Sequence, residues 1–192
     1  LIVWGIVAMV FFVQFLCGWI YGHFFEYGAH RWVFHNKKIK SAFNFHFSQH
    51  HAKSKRGCMV DTQALKKISI KEFETKSLLL VLILHIPLIF WFPFFYIALV
   101  YSAIAYKVVH KKAHRDHSWA RNYIPWHYDH HMGPQQHKNW AVRLPIFDYL
   151  LGTRSIYKGS RKEIIRYNNF KKWGRYGLRP RRTEHDRHRR DS

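Results

Sequence analysis

The sequence predicts an all-α protein, an integral membrane helical bundle with a histidine-rich cap on its cytosolic side over a metal site. Three observations predict it. Two long apolar blocks, residues 1 to about 25 and 77–106, alternate with polar, basic stretches. Ten of the sixteen histidines fall in four tight groups. The lysines and arginines behind the formal charge of +21 all lie outside the apolar blocks.

At 192 residues the chain is one domain by length. Cys17 and Cys58 lie far apart and form neither a disulfide framework nor a C-x2-C zinc site, so a metal would be held by nitrogen and oxygen. A reducing, cytoplasmic setting fits that usage. Strong positive charge raises a nucleic-acid partner, but the apolar blocks have no place in a basic soluble domain. A membrane surface accounts for both halves of the composition, because basic residues beside spans follow the positive-inside rule and attract anionic headgroups.

The first apolar run is interrupted only by Gln14 and small residues. At about 1.5 Å per residue it is long enough to cross a hydrocarbon core of about 30 Å. It lacks the basic start and cleavage site of a signal peptide. The chain starts at Leu1 inside this run, so we expect a trimmed chain with room for an upstream helix. His23 reads as an interfacial side chain. Glu26 lies one turn before His30 and is a candidate to orient that imidazole through its outer nitrogen.

Residues 30–76 are polar and basic, and Lys37, Lys38, Lys40, Lys53, Lys55 and Arg56 place them in the cytoplasm. A short helix over 43–52 is expected, then a break at Gly57. Asp61 is either an outer carboxylate of the site or a loop residue. Residues 68–75 suit the interface, with Lys66, Lys67 and Lys71 toward headgroups.

The second apolar block is too long for one comfortable crossing and short for two. Pro93, after Trp91-Phe92, cannot continue a helix, so we expect a hairpin of two arms, 72–91 and 93–113, whose membrane portions are about 77–91 and 93–106. His85, beside Pro87, reads as a helix-contact residue. The second arm runs into His110 and His114, with His117 just beyond. Tyr123-Ile124-Pro125 marks a bend, Gly133-Pro134 ends the last histidine helix, and His137 reads as a rim residue. Asp129 and Asp148 are further candidates to orient the site or its loops. The predicted domain covers 1–154. A basic extension, 155–192, has too few aliphatics for a core, its distal part is expected to be disordered, and His185 and His188 there read as solvated.

Spacing gives the histidines their meaning. The groups are His30 and His35 (H-x4-H), His46, His50 and His51 (H-x3-HH), His110 and His114 (H-x3-H), and His127, His130 and His131 (H-x2-HH). On an α-helix, residues three or four apart share a face, whereas an adjacent residue points about 100° away. His127 and His130 are therefore expected to converge, with His131 reaching a second point. His46 and His50 repeat this with His51, and His110 stacks with His114. His30 and His35 should diverge by roughly 140° and serve different ions or flank a helix end. Two ions with about five nitrogens each would use the whole set.

These boxes, with Asn139-Trp140, Pro145, Asp148, Gly152 and Thr153 after them, resemble the membrane fatty acid hydroxylase superfamily, which includes fatty acid and sterol hydroxylases and sterol desaturases. The ending is similar to that family's HH…N[FW]…P-x-x-D-x-x-x-GT pattern, and the match runs from about His30 to Arg154. One departure is the second box, where many members have H-x2-HH, with histidine at the position of Phe47. That leaves His46 open to replacement by His117 or His137.

The resemblance implies two irons that activate dioxygen, with His30, His35, His46, His50, His51, His110, His114, His127, His130 and His131 as ligands. It implies hydroxylation or desaturation at a C–H bond of a lipid chain entering from the bilayer, and electrons from a separate donor protein. Spacing alone does not choose the metal, and zinc can take the same nitrogens in a purified sample. The other readings are a dinuclear zinc hydrolase, disfavoured because such a centre normally takes carboxylate ligands and the boxes are built on histidine, and a metal-binding membrane protein without catalysis. Nucleic acid is not an expected partner.

Overall fold

The first apolar run folds as one helix, α1 (Ile2–Gly28), that continues into a π-helical turn, π1 (Ala29–Phe34). The computed structural model describes residues 1–173, so the end of the basic extension, with His185 and His188, lies outside the described residues. All regular structure among the described residues is helical. Next come α2 (Lys40–Phe43), π2 (Asn44–His51) and α3 (Ala52–Arg56), together one irregular helix that ends at Gly57.

The hairpin is present, but its first arm is not one helix. It divides into α4 (Phe73–Leu84) and α5 (Leu88–Trp91) around a turn at residues 85–87. Pro87 explains the break, since it lacks an N–H and its ring clashes with the preceding turn. His85 caps α4, its ring Nδ1 2.8 Å from the Val81 carbonyl oxygen and its Nε2 3.0 Å from the Tyr21 hydroxyl, which ties this arm to α1. The second arm is α6 (Pro93–Ala113), with its proline at the first turn, where a missing N–H costs nothing. Ile2–Phe34 and Pro93–Ala113 are long and apolar enough to cross a membrane.

Small residues set how closely α1 and α6 approach. A Cβ on Gly18 would stand 2.5 Å from the Phe95 carbonyl oxygen, and one on Gly22 would stand 2.5 Å from Ser102 Oγ. A small-xxx-small stripe of this kind lets two helix backbones meet closely. The outward face of α1 exposes Trp4, Phe12 and Ile20.

Beyond α6 the chain forms α7 (His117–Tyr123), α8 (Pro125–Met132), α9 (Ile146–Leu150) and α10 (Arg161–Trp173). Asp116 caps α7 by accepting from the Trp119 N–H at 2.9 Å. Met59, Ala113, Ala120, Tyr128 and Met132 form the buried core of this cap, and Tyr157 and Phe170 pack against it. The near part of the basic extension thus joins the core, against expectation. Buried Glu163 holds it there, accepting from Arg121 Nε (2.8 Å) and the Tyr128 hydroxyl (3.0 Å).

Candidate metal centre

All four histidine boxes meet in the cap, in two adjoining groups. In the first, His30, His35, His46, His51 and His130 each offer a ring nitrogen within 4.8 Å of the others. Their Nε2 atoms approach at 2.8 Å (His30–His46), 3.0 Å (His51–His130) and 3.2 Å (His35–His51). The second group is His50, His110, His114 and His131. His127 borders it, with Nε2 3.3 Å from His114 Nε2 and its ring 4.6 Å from that of His131. The groups meet where the His51 and His131 rings stack at 4.2 Å.

Adjacent histidines do part company as expected, but the partners differ from the α-helical expectation. His46 pairs with His51 rather than His50, and His30 joins His35 in one group. The reason is π1 and π2. Their hydrogen bonds run i to i+5, as from the His35 N–H to the His30 carbonyl (3.2 Å), so residues five apart share a face. In α8, which is α-helical, it is His127 and His131 at i, i+4 that stay together, and His130 turns away to the first group. His46 keeps its place in the first group. His117 lies outside both groups, with Nδ1 on the Cys58 carbonyl and its ring stacked on Phe170 at 4.3 Å. His137 sits at the rim, stacked on Phe47.

The outer nitrogens are fixed by acceptors. His30 Nδ1–H donates to the Trp140 carbonyl (2.5 Å), His130 to the Lys138 carbonyl (2.7 Å) and His114 to the Met59 carbonyl (2.8 Å). His110 Nδ1–H donates to Glu74, and His50 Nδ1 faces Asp61 at 3.5 Å. An acceptor at Nδ1 fixes the tautomer and leaves Nε2 as a bare lone pair. Glu74 was missed in the sequence, yet it and His110 lie equally far along the chain from Phe92. A hairpin turning there brings them together.

Left-handed backbone aims several of these carbonyls. Met59 (φ 78°) and Cys58 (φ 49°) turn toward His114 and His117. Asn139 (φ 61°), a residue type that tolerates this region, stands between the two carbonyls that receive His130 and His30. The segment after the last box clamps that turn. Asn139 Oδ1 accepts from the Ser155 N–H (2.7 Å), and its N–H donates to the Thr153 carbonyl (3.0 Å). Asp148 accepts from the Trp140 and Ala141 N–H groups (2.8 and 2.9 Å) and from Thr153 Oγ1 (2.7 Å). Gly152, at φ 64°, supplies the turn before Thr153.

Of the four carboxylates singled out in the sequence, Asp61 faces His50, whereas Glu26, Asp129 and Asp148 act on loops and touch no box imidazole. Glu26 accepts from the Val142 N–H (2.6 Å) and from the Arg143 N–H and Nε (2.9 and 2.6 Å), so it anchors the loop behind Trp140. Asp129 faces away from the imidazoles, pairing with Arg154 (2.7 Å) and accepting from the Lys158 N–H (2.7 Å). Asp148 serves the clamp.

Burial disfavours the charged form of most of these imidazoles. Loss of solvent holds His46, His51, His114, His127, His130 and His131 well below the ordinary imidazole value, and takes His35 to about 2. His50 is lowered by burial too, against the opposing pull of Asp61. His110 and His114 both turn Nδ1 outward to an acceptor, and their Nε2 atoms face each other at 3.2 Å. Such a donor set fits a cation between the nitrogens, and imidazole nitrogen suits iron, zinc, copper or nickel.

An apolar cavity of about 340 Å³ lies between α1, α4 and α6, lined by Phe25, Val81, Leu82 and Leu99 and reaching His30. A second, of about 550 Å³, reaches His50, His110 and His114 past Lys66, Lys67 and Lys71.

At the level of whole sequences, no curated protein and no solved structure matches the chain. The family model described as Fatty acid hydroxylase matches residues 15–153, from the middle of α1 to the threonine that closes the clamp. That stretch holds every histidine of both groups, and on it the chain belongs to the fatty acid hydroxylase family.

Proposed function

We propose that this protein is a dioxygen-dependent, di-iron hydroxylase or desaturase that acts on a C–H bond of a lipid chain. The observation that carries the reading is the inward convergence of imidazole Nε2 atoms in two adjoining groups, typified by His110 and His114 at 3.2 Å. His30, His35, His46, His51 and His130 would hold one iron, and His50, His110, His114, His127 and His131 the other. When bound, the irons supply the activation of dioxygen. No carboxylate stands in either group, which favours this reading over a hydrolytic zinc pair.

The chain's own residues do the rest. Outer acceptors at Trp140, Lys138, Met59 and Glu74 fix ring orientation. His127, His130 and His131 are fully buried, so bulk water is kept from the reacting centre. The apolar cavity would admit an acyl or polycyclic chain to His30 from the bilayer side. Hydroxylation inserts one oxygen atom into the C–H bond, and the other leaves as water with two electrons and two protons. Those electrons would come from a separate donor protein.

In this reading the long apolar helices span a bilayer whose lipid covers the exposed Trp4, Phe12 and Ile20, and the histidine cap faces the cytoplasm, an orientation that the basic segments support. The test supplies iron-loaded protein with lipid, dioxygen and a chemical reductant, then follows oxygen uptake and oxidised lipid by mass spectrometry. Reductant-dependent product that vanishes in His130→Ala is the expected result. Turnover of a lipid ester by zinc-loaded protein without oxygen would overturn the proposal.

A further inference from the structure

The apolar cavity is not apolar throughout. Ser102, on α6, lines it and is only 5 % exposed, yet its hydroxyl has no hydrogen-bond partner. A buried hydroxyl left unpaired costs on the order of 1–3 kcal/mol, and helix packing alone is served as well by alanine. Arg143 lines the same cavity. Its backbone N–H and Nε are committed to Glu26, and its Nη2 lies 3.6 Å from the point where a Cβ on Gly22 would stand. Ser102 Oγ lies 2.5 Å from that same point. Gly22, having no side chain, lets Ser102 pack close to α1, and all three residues meet at one part of the cavity wall, where a hydroxyl and a guanidinium stand near each other.

We propose that Ser102 and Arg143 anchor an uncharged oxygen of the bound lipid, a hydroxyl or a carbonyl. This rests on the reading above that a lipid occupies the cavity. The anchor's donors fit an oxygen acceptor, and Ser102 can also accept from a hydroxyl. Charge narrows the class. Glu26 already neutralises Arg143 at 2.6 Å, so a carboxylate head would place an unmatched anion in an apolar space. A hydrocarbon without oxygen would leave Ser102 unpaired. Gly22 lies eight residues before His30 on a continuous helix, roughly 12 Å along its axis. An oxygen held there fixes which carbon of the lipid reaches the histidines.

The test uses the full chain in nanodiscs with metal removed by chelation, and measures binding of tritiated 1-hexadecanol against unlabelled hexadecanol, hexadecane and palmitate at about pH 8. Hexadecanol is expected to compete at about tenfold lower concentration than either of the others, the value of one hydrogen bond. Ser102→Ala should fold, shown by a melting transition no lower than that of the unaltered protein, and bring hexadecanol within about twofold of hexadecane. Arg143→Lys keeps the charge beside Glu26 and should weaken hexadecanol in the same direction. Equal binding of alcohol and hydrocarbon by the unaltered protein, tighter binding of palmitate, or full alcohol preference in Ser102→Ala would each overturn the anchor. The oxygenase reading fails separately: alcohol preference without oxidised product from iron-loaded protein contradicts that reading and leaves the anchor standing.

Discussion

The Nδ1–H of His30 donates to the Trp140 carbonyl across 2.5 Å, which joins the first histidine box to the loop that follows the last. That loop is held from two sides, by Asp148 and by Glu26, and both carboxylates are buried. The histidine centre therefore depends on residues that never touch it.

Asp148→Ala leaves the buried Trp140 and Ala141 N–H groups without acceptors. A loss of about 3 kcal/mol is expected, together with loosened metal, and denaturant unfolding in mild detergent measures it. Unchanged stability would mean that the clamp does not hold the loop.

Glu74→Gln retains the size of the side chain but removes the charge that receives the His110 Nδ1 proton. Metal affinity should fall about 10- to 100-fold, read by titration against a competing chelator, with the fold kept because Lys107 still pairs with Glu72 at 2.6 Å.

The buried imidazoles predict a pH dependence for the metal-free protein. His114, His127, His130 and His131 have folded values well below the ordinary 6.5, so on acidification the unfolded chain takes up protons that the folded chain refuses. Stability should be level above about pH 6.5 and decline as pH falls below it. Thermal unfolding across pH 5 to 8 checks this, and stability that rises on acidification would contradict it.

Gly18→Val should separate α1 from α6, because even a Cβ there meets the Phe95 carbonyl at 2.5 Å. A loss of about 1–3 kcal/mol is expected. Gly5→Ala, with nothing within 4 Å of its Cβ, serves as the silent control in the same melting experiment.

Much of this architecture was legible in the chain. Apolar length gave the long helices, Pro93 gave the hairpin turn, and the four boxes gave the meeting of histidines. Grouping within the boxes was not legible. Five-residue spacing at His30–His35 and His46–His51 reads as divergence on an α-helix and becomes convergence on a π-helix, and nothing local in the sequence announces a π turn. The outer carboxylates were hidden for a related reason. Glu26, one turn from His30, looked like its partner, whereas the acceptor for the His30 Nδ1–H is the Trp140 carbonyl, in a loop more than a hundred residues away. Pro87 divides the first arm, which the apolar length alone presents as one helix over 72–91.

Metal content per chain tests the central claim most directly. Protein purified after iron supplementation and analysed by inductively coupled plasma mass spectrometry should carry two iron ions per chain, one for each histidine group. His114→Ala and His51→Ala should each lower that number while the helical circular dichroism is retained. A single tightly held ion that survives both substitutions, or none in the unaltered protein, would contradict the account.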